Sequence, residues 1–106
     1  MPVYRVLLRM HVVPGQEQQF EQAWRDGAHT IAEEPANVAR WLSRSDDEPG
    51  VYYIVSDWQD EPSFRAYEVS TRHCLHRARL HPYRSAGSMT TMTVVAAERG
   101  AGGALT

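Results

Sequence analysis

Apolar and polar residues alternate from Val3 to Val13. Tyr4, Val6, Leu8, Met10 and Val12 fall on one side, and Val3, Arg5, Leu7, Arg9 and His11 on the other. A period of two predicts a β-strand, and Pro14-Gly15 ends it. From Gln16 to about Glu34 the period changes. Phe20, Trp24, Ala28 and Ile31 recur at spacings of four, four and three, which predicts an amphipathic helix stopped by Pro35. Gly27 inside that helix costs about 1 kcal/mol relative to Ala, and points to a close approach by another backbone or a ligand. Asn37 to Ser45 reads as a second strand, and the polar cluster Asp46-Asp47-Glu48-Pro49-Gly50 as a turn. The β-branched and aromatic run Val51 to Trp58 is then its hairpin partner. Asp60 or Glu61 caps a further helix with Pro62 in its first turn. Ser70-Thr71 caps another helical piece running to about Leu80, with Pro82 beyond it. Ser88 to Ala97 reads as the last strand, and the Gly- and Ala-rich residues 99–106 as a frayed tail.

The order is β-α-β-β-α-β, an α+β, ferredoxin-like arrangement with an antiparallel sheet. Residues 1–98 form a single domain and 99–106 a flexible tail. In this topology both helices cover the same sheet face, yet the strands are apolar on both: Leu7 opposes Val6 and Leu8, Val55 opposes Ile54, and Met92 opposes Met89. A one-sided antiparallel sheet alternates more cleanly. Another copy of the chain is the simplest cover for the second face, so a homodimer is expected.

Charge and composition narrow the partners. A net charge of −2 gives no reason to expect nucleic acid or an anionic membrane. All 11 basic residues are Arg and none is Lys, consistent with GC-rich codon usage and an actinobacterium-like source. Cys74 is the sole cysteine, so no intrachain disulfide or Cys-based zinc site is possible, and a half-buried helical position is expected for it. No apolar run reaches membrane or signal-peptide length, so a cytoplasmic location is expected.

Two stretches carry candidate chemistry. Alternation puts Tyr52, Ile54, Ser56 and Trp58 on one face of the third strand, and Trp58 sits where the sheet meets a helix start, a common place for a small-molecule pocket. The Trp58 ring is either a core aromatic or a surface for stacking on a flat ligand. Trp24 and Asn37 are further candidates for its border, although Asn37 also suits a turn. The second stretch is Arg72 to Arg84, with three His and four Arg in thirteen residues. On a helix His73 and His76 share a face at i, i+3, and Arg72 lies one turn before His76. Histidine suits the deprotonation of a phenol or activated methylene near neutral pH, and Arg72 or Arg77 could steady the resulting anion. The bland alternative is a solvated basic face at a helix C-terminus. A metal on His73 and His76 needs a third ligand, such as Glu68, His11 or His29, that no spacing fixes; none is expected.

The strand Val51–Trp58, the helix start Asp60-Glu61-Pro62-Ser63-Phe64-Arg65 and the first helix with Phe20 and Trp24 resemble the antibiotic biosynthesis monooxygenase family of dimeric α+β barrels. The order of elements fits from about Val3 to Ala97. Members that oxidise anthrones to quinones use no metal, flavin or haem. The resemblance implies a deprotonated polyphenol that reduces dioxygen directly, with the protein binding it, tuning its acidity and sheltering the intermediate. In those enzymes the Trp matching Trp58 lines the pocket, and an Asn lies four residues before it. Here that position is Ile54, which shapes a pocket but donates no hydrogen bond. A haem-degrading branch needs a His about ten residues after the Trp; Glu68 stands there, so haem degradation is not expected. The resemblance therefore implies a cofactor-independent monooxygenase of an aromatic polyketide intermediate, with dioxygen as co-substrate. Trp58 and Tyr52 would bind the aromatic surface. The alternatives are a polyketide cyclase, a protein that assists and associates with cyclases, or a non-catalytic partner subunit.

Overall fold

The structure, a computed structural model, describes residues 2–103. In chain order it contains β1 (Val3–Val12), α1 (Glu17–Ala32), β2 (Asn37–Arg44), β3 (Val51–Trp58), α2 (Glu61–Glu68), α3 (Thr71–Leu80), a 3-10 turn (His81–Tyr83) and β4 (Arg84–Val94). The four strands form one antiparallel sheet in the order β2-β3-β1-β4. The helices lie on one face, giving the expected α+β, ferredoxin-like architecture with its second helical segment split in two.

Local chemistry accounts for the breaks. At the β2–β3 turn the Ser45 hydroxyl accepts the backbone N–H groups of Asp47 and Glu48 at 3.2 and 3.1 Å, and Gly50 takes the left-handed φ of +77° that returns the chain. Asp60 is the N-cap of α2, its carboxylate accepting from Ser63 N at 2.8 Å. Ser70 caps α3 in the same way through His73 N at 3.2 Å. These two caps fix where α2 and α3 begin. Asn37 is structural: its amide donates to the carbonyls of Asp57 at 3.1 Å and Ala39 at 3.4 Å, stitching down the irregular start of β2.

The last strand differs from expectation. It begins at Arg84 rather than Ser88, because the tight 3-10 turn delivers the chain directly to β1. It ends at Val94 rather than Ala97, because its partner β1 ends at Val3, opposite Val94. Residues 95–103 carry no regular helix or strand; the remainder of the expected tail, 104–106, lies outside the described residues.

Alternation on β3 resolves as anticipated, with Tyr52, Ile54, Ser56 and Trp58 facing the helices. Two apolar clusters fill the space beneath them. One joins Met10, Val12, Phe20, Ala23, Tyr52, Ile54 and Leu80; the other joins Val6, Ile31, Trp58, Phe64 and Tyr67. Leu8 packs against both. The opposite sheet face carries Leu7, Trp41, Val55 and Met92, together with an ion pair in which Arg5 grips Asp57 at 2.7 and 2.8 Å. No helix covers it.

The buried stripe of α1 is also turned from the one expected. It runs through Phe20, Ala23, Gly27 and Ile31, leaving Trp24 and Ala28 only partly buried. The small residues face α3, which packs mainly on α1 rather than on the sheet. A Cβ on Gly27 would stand 2.4 Å from His76 Nδ1 and 3.2 Å from an Arg79 guanidinium nitrogen. On α3 itself only His76 and Leu80 are buried, and Cys74 is exposed rather than half-buried.

Gly27→Ala should therefore lower stability by about 1–2 kcal/mol through overpacking against His76, despite the better helix propensity of Ala. In a His76→Ala background the same change should instead stabilise, by up to about 1 kcal/mol. Denaturant unfolding of the four proteins measures the coupling; additive effects would contradict the close contact.

Candidate active site

Because α3 leans on α1, a cavity of about 270 Å³ opens between α3 and the sheet, where the two apolar clusters part. Its floor is Val6, Leu8 and Met10 of β1 with Ile54, Ser56 and Trp58 of β3. Phe64, Tyr67 and Glu68 of α2 close one side. His73, His76, Arg77 and Leu80 of α3 close another, and Arg84, Gly87, Ser88 and Met89 of β4 border the mouth. Small-molecule sites of this kind are apolar with a few convergent polar groups. At about 270 Å³ this one lies just under the usual range for such sites.

Trp58 is both core and wall. It is almost fully buried, stacks at a tilt on Tyr67 with centroids 4.8 Å apart, and meets Phe64 edge-on at 5.6 Å. Its indole N–H donates to Ser56 Oγ at 3.0 Å, two residues back on the same strand face. The expected pairing of Trp58 with Ser56 and Ile54 is thus realised on the cavity floor. Tyr67 extends the aromatic wall and meets His73 edge-on at 5.1 Å. Burial pushes its phenol up to about 12, so it stays protonated at neutral pH.

The helical spacing brings His73 and His76 together on the opposite wall. Burial lowers the pKa of both, and nearby guanidinium groups lower them further. His76 falls to about 4 and is neutral at pH 7. His73 is only partly buried whereas His76 is buried, so His73 is the more accessible of the two for exchanging a proton with a ligand in the cavity. Arg77 lines the mouth.

Other sequence candidates lie elsewhere. Arg72 is not among the residues lining the cavity; it is exposed and paired with Glu34 at 3.2 Å, because one turn before His76 carries it past the cavity edge toward the end of α1. Tyr52 and Trp24 line a neighbouring shallow cleft with Glu21, Trp41 and Arg44. The Tyr52 hydroxyl donates to Glu21 at 2.5 Å, and burial together with that carboxylate pushes its pKa up to about 12. Asn37 is occupied by the backbone contacts of β2. Among the described residues no group of three or more His, Cys, Asp or Glu is placed to hold a metal ion. No helix among them is long and apolar enough to cross a membrane.

Sequence reasoning passed over Arg40. It lies on β2 opposite Ser56, facing the helices, and lines both the cavity and the cleft. Its guanidinium lies over the Trp24 ring at 5.0 Å, and Nη2 approaches His76 Nε2 at 3.4 Å. Burial lowers its pKa from the usual arginine value. The period of two would have shown it sharing a face with Leu42, but an Arg among apolar neighbours at a strand edge reads more simply as solvent-facing.

Comparison with known proteins places this geometry. SchA of Streptomyces halstedii is 28% identical over 103 residues, which are 94% of this chain but 27% of SchA, so the chain spans about a quarter of that relative's length. SnoaB, a cofactor-independent oxygenase from Streptomyces nogalater, solved as an asparagine-to-alanine mutant, superposes with a TM-score of 0.79 at 21% identity, covering 90% of this chain and 95% of SnoaB. Candidate antibiotic biosynthesis monooxygenases from Bordetella bronchiseptica (TM-score 0.83, 17% identity, 91% and 100% covered) and Caulobacter crescentus (0.81, 22%, 89% and 91%) share the fold. Residues 3–78, from β1 through most of α3 and including Trp58, His73 and His76, match the antibiotic biosynthesis monooxygenase profile, and the chain belongs to that family.

Proposed function

We propose that the protein is a cofactor-independent monooxygenase that oxidises a polycyclic aromatic polyketide intermediate, by anthrone-to-quinone oxidation or ring hydroxylation, with dioxygen as co-substrate. The observation that carries this is the cavity itself: an aromatic wall of Trp58, Phe64 and Tyr67 facing the paired imidazoles of His73 and His76, in a chain of the monooxygenase family. A flat polyphenol stacks on Trp58 and Tyr67. His73 takes a proton from the activated methylene, and the carbanion gives its electrons to dioxygen. A C–O bond forms, the O–O bond breaks, and the two methylene hydrogens leave with one oxygen as water, so the methylene becomes a carbonyl. The apolar floor of Val6, Leu8 and Ile54 excludes bulk water from the carbanion, which would otherwise be reprotonated.

One observation favours a second function. Ile54 lies on the cavity floor, at the position where the family resemblance implies an amide in quinone-forming members. A shaped apolar cavity with a base but no amide suits aldol closure of a poly-β-ketone, with loss of water only. A partner subunit that merely holds such a chain would need neither His73 nor dioxygen.

The uncovered sheet face supports a second copy as partner. Leu7, Trp41 and Val55 are only partly buried, and Met92 is 39% exposed; an apolar face of this kind marks an association surface. Sedimentation equilibrium should return about twice the chain mass of 12.0 kDa, and a mass of one chain would contradict the pairing.

With a reduced dihydroxyanthrone, dioxygen uptake by metal-free protein should exceed autoxidation. His73→Gln should slow it about a hundredfold or more, as expected for loss of a general base. Oxygen-electrode rates decide this: no enzymatic uptake would sink the oxygenase, and an undiminished His73→Gln rate would move the base elsewhere.

A further inference from the structure

Three side-chain polar atoms among the described residues are buried without a hydrogen-bond partner: Trp24 Nε1, Arg40 Nη1 and His76 Nδ1. They belong to residues that touch one another. The Arg40 guanidinium lies 5.0 Å from the Trp24 ring centre, and its Nη2 is 3.4 Å from His76 Nε2. So α1, β2 and α3 each contribute one such residue to a single cluster, in which Arg40 and His76 line the cavity while Trp24 lines the neighbouring cleft that Arg40 also borders. Trp24 and Arg40 are donors always, and His76 Nδ1 is a donor in the neutral tautomer whose Nε2 accepts from Arg40. Buried polar groups in native proteins are nearly always satisfied. His76 Nδ1 is turned onto Gly27 of α1, so the two donors left short of an acceptor are Trp24 Nε1 and Arg40 Nη1, and of their residues Arg40 is the one that lines the cavity.

Charge makes the same point. No carboxylate forms an ion pair with Arg40 among the described residues, whereas Arg5, Arg9, Arg25, Arg44, Arg65 and Arg72 are all paired. A cation withdrawn from water without a counter-ion is unfavourable for folding; the one carboxylate lining the cavity, Glu68, is paired with Arg65, so the Arg40 charge is left for an anion to neutralise. The three α3 arginines do not supply this: Arg72 is committed to Glu34, Arg77 is exposed at the mouth, where water screens it, and Arg79 is exposed and does not line the cavity.

We propose that Arg40, flanked by Trp24 and His76, is the anion-receiving end of the cavity, binding the ionised phenolic, enolic or carboxylate oxygen of a flat aromatic ligand. This rests on the aromatic-ligand function proposed above and adds to it the group that selects an ionised substrate. A base on the His73 side and a guanidinium at Arg40 would together lower the free energy of the substrate anion, one by taking the proton and the other by holding the charge.

A matched pair of probes tests this, anthracene carboxylate and its neutral carboxamide, titrated by fluorescence into wild type, Arg40→Met and Arg40→Lys, alongside thermal unfolding of each ligand-free protein. Wild type should bind the carboxylate at least about tenfold more tightly than the carboxamide. Arg40→Met should weaken the carboxylate about tenfold to a hundredfold, the range for a hydrogen bond to a charged group, and leave the carboxamide within about threefold. Arg40→Lys should keep part of the preference. Ligand-free Arg40→Met should unfold at the same or a higher temperature, since an unpaired buried charge has been removed; Arg40→Gln replaces it if the Met protein fails to fold. Equal binding of both probes by wild type would overturn the anion site while leaving the aromatic cavity intact. So would an Arg40→Met protein that loses both probes alike and melts lower, since that is the mark of a structural arginine. Binding of neither probe would remove the aromatic-ligand reading and the anion site with it.

Discussion

The contact of Gly27 on α1 with His76 on α3 sets how far α3 stands from the sheet. Helix positions with small side chains let two axes approach closely, and here the approach draws α3 onto α1 and away from β1 and β4. The space left over is the cavity. The same contact buries the His76 ring against Arg40, so a packing decision on one helix also fixes the electrostatics of the site. The interior glycine that weakens α1 is thus tied to the volume in which chemistry would occur.

Within that volume the polar and apolar groups are segregated. Trp58, Phe64 and Tyr67 form a continuous ring surface that carries two polar handles, the Trp58 N–H, already taken by Ser56, and the protonated phenol of Tyr67. His73, His76 and Arg40 form the polar group, which joins the ring surface where His73 meets Tyr67 edge-on. Burial and the guanidinium field both keep the imidazoles neutral. That is the state required of a base, although His76 at about 4 is too weak a base to compete with His73. Arg40 resists deprotonation far more strongly than either and keeps its charge in a place where charge is costly. Stability sacrificed at one residue is a frequent signature of a functional site.

Much of this was legible in the chain. Period-two alternation correctly aimed Tyr52, Ile54, Ser56 and Trp58 at the helices, and the i, i+3 spacing correctly joined His73 to His76, because both rules follow from backbone geometry alone. The caps at Asp60 and Ser70 are equally local. What failed was long-range. The rotation of α1 that buries Ala23 and Gly27 in place of Trp24 and Ala28 depends on where α3 docks. Arg72 was drawn off by Glu34, a residue 38 positions away, and Tyr52 by Glu21, 31 positions away. Arg40 escaped notice because only tertiary packing turns an apparent surface arginine into a buried one. The start of β4 at Arg84 was set by its partner strand and not by its own composition.

The account stands on oxygen transfer in the cavity between α3 and the sheet, and the fate of labelled dioxygen tests that most directly. Metal-free protein would be given a reduced anthrone under oxygen-18 gas and the product weighed by mass spectrometry. One labelled oxygen atom in a quinone product, formed by wild type and not by a Trp58→Ala protein that remains folded, is the predicted result. A product that carries no label, or labelled quinone formed at the same rate by both proteins, would contradict it.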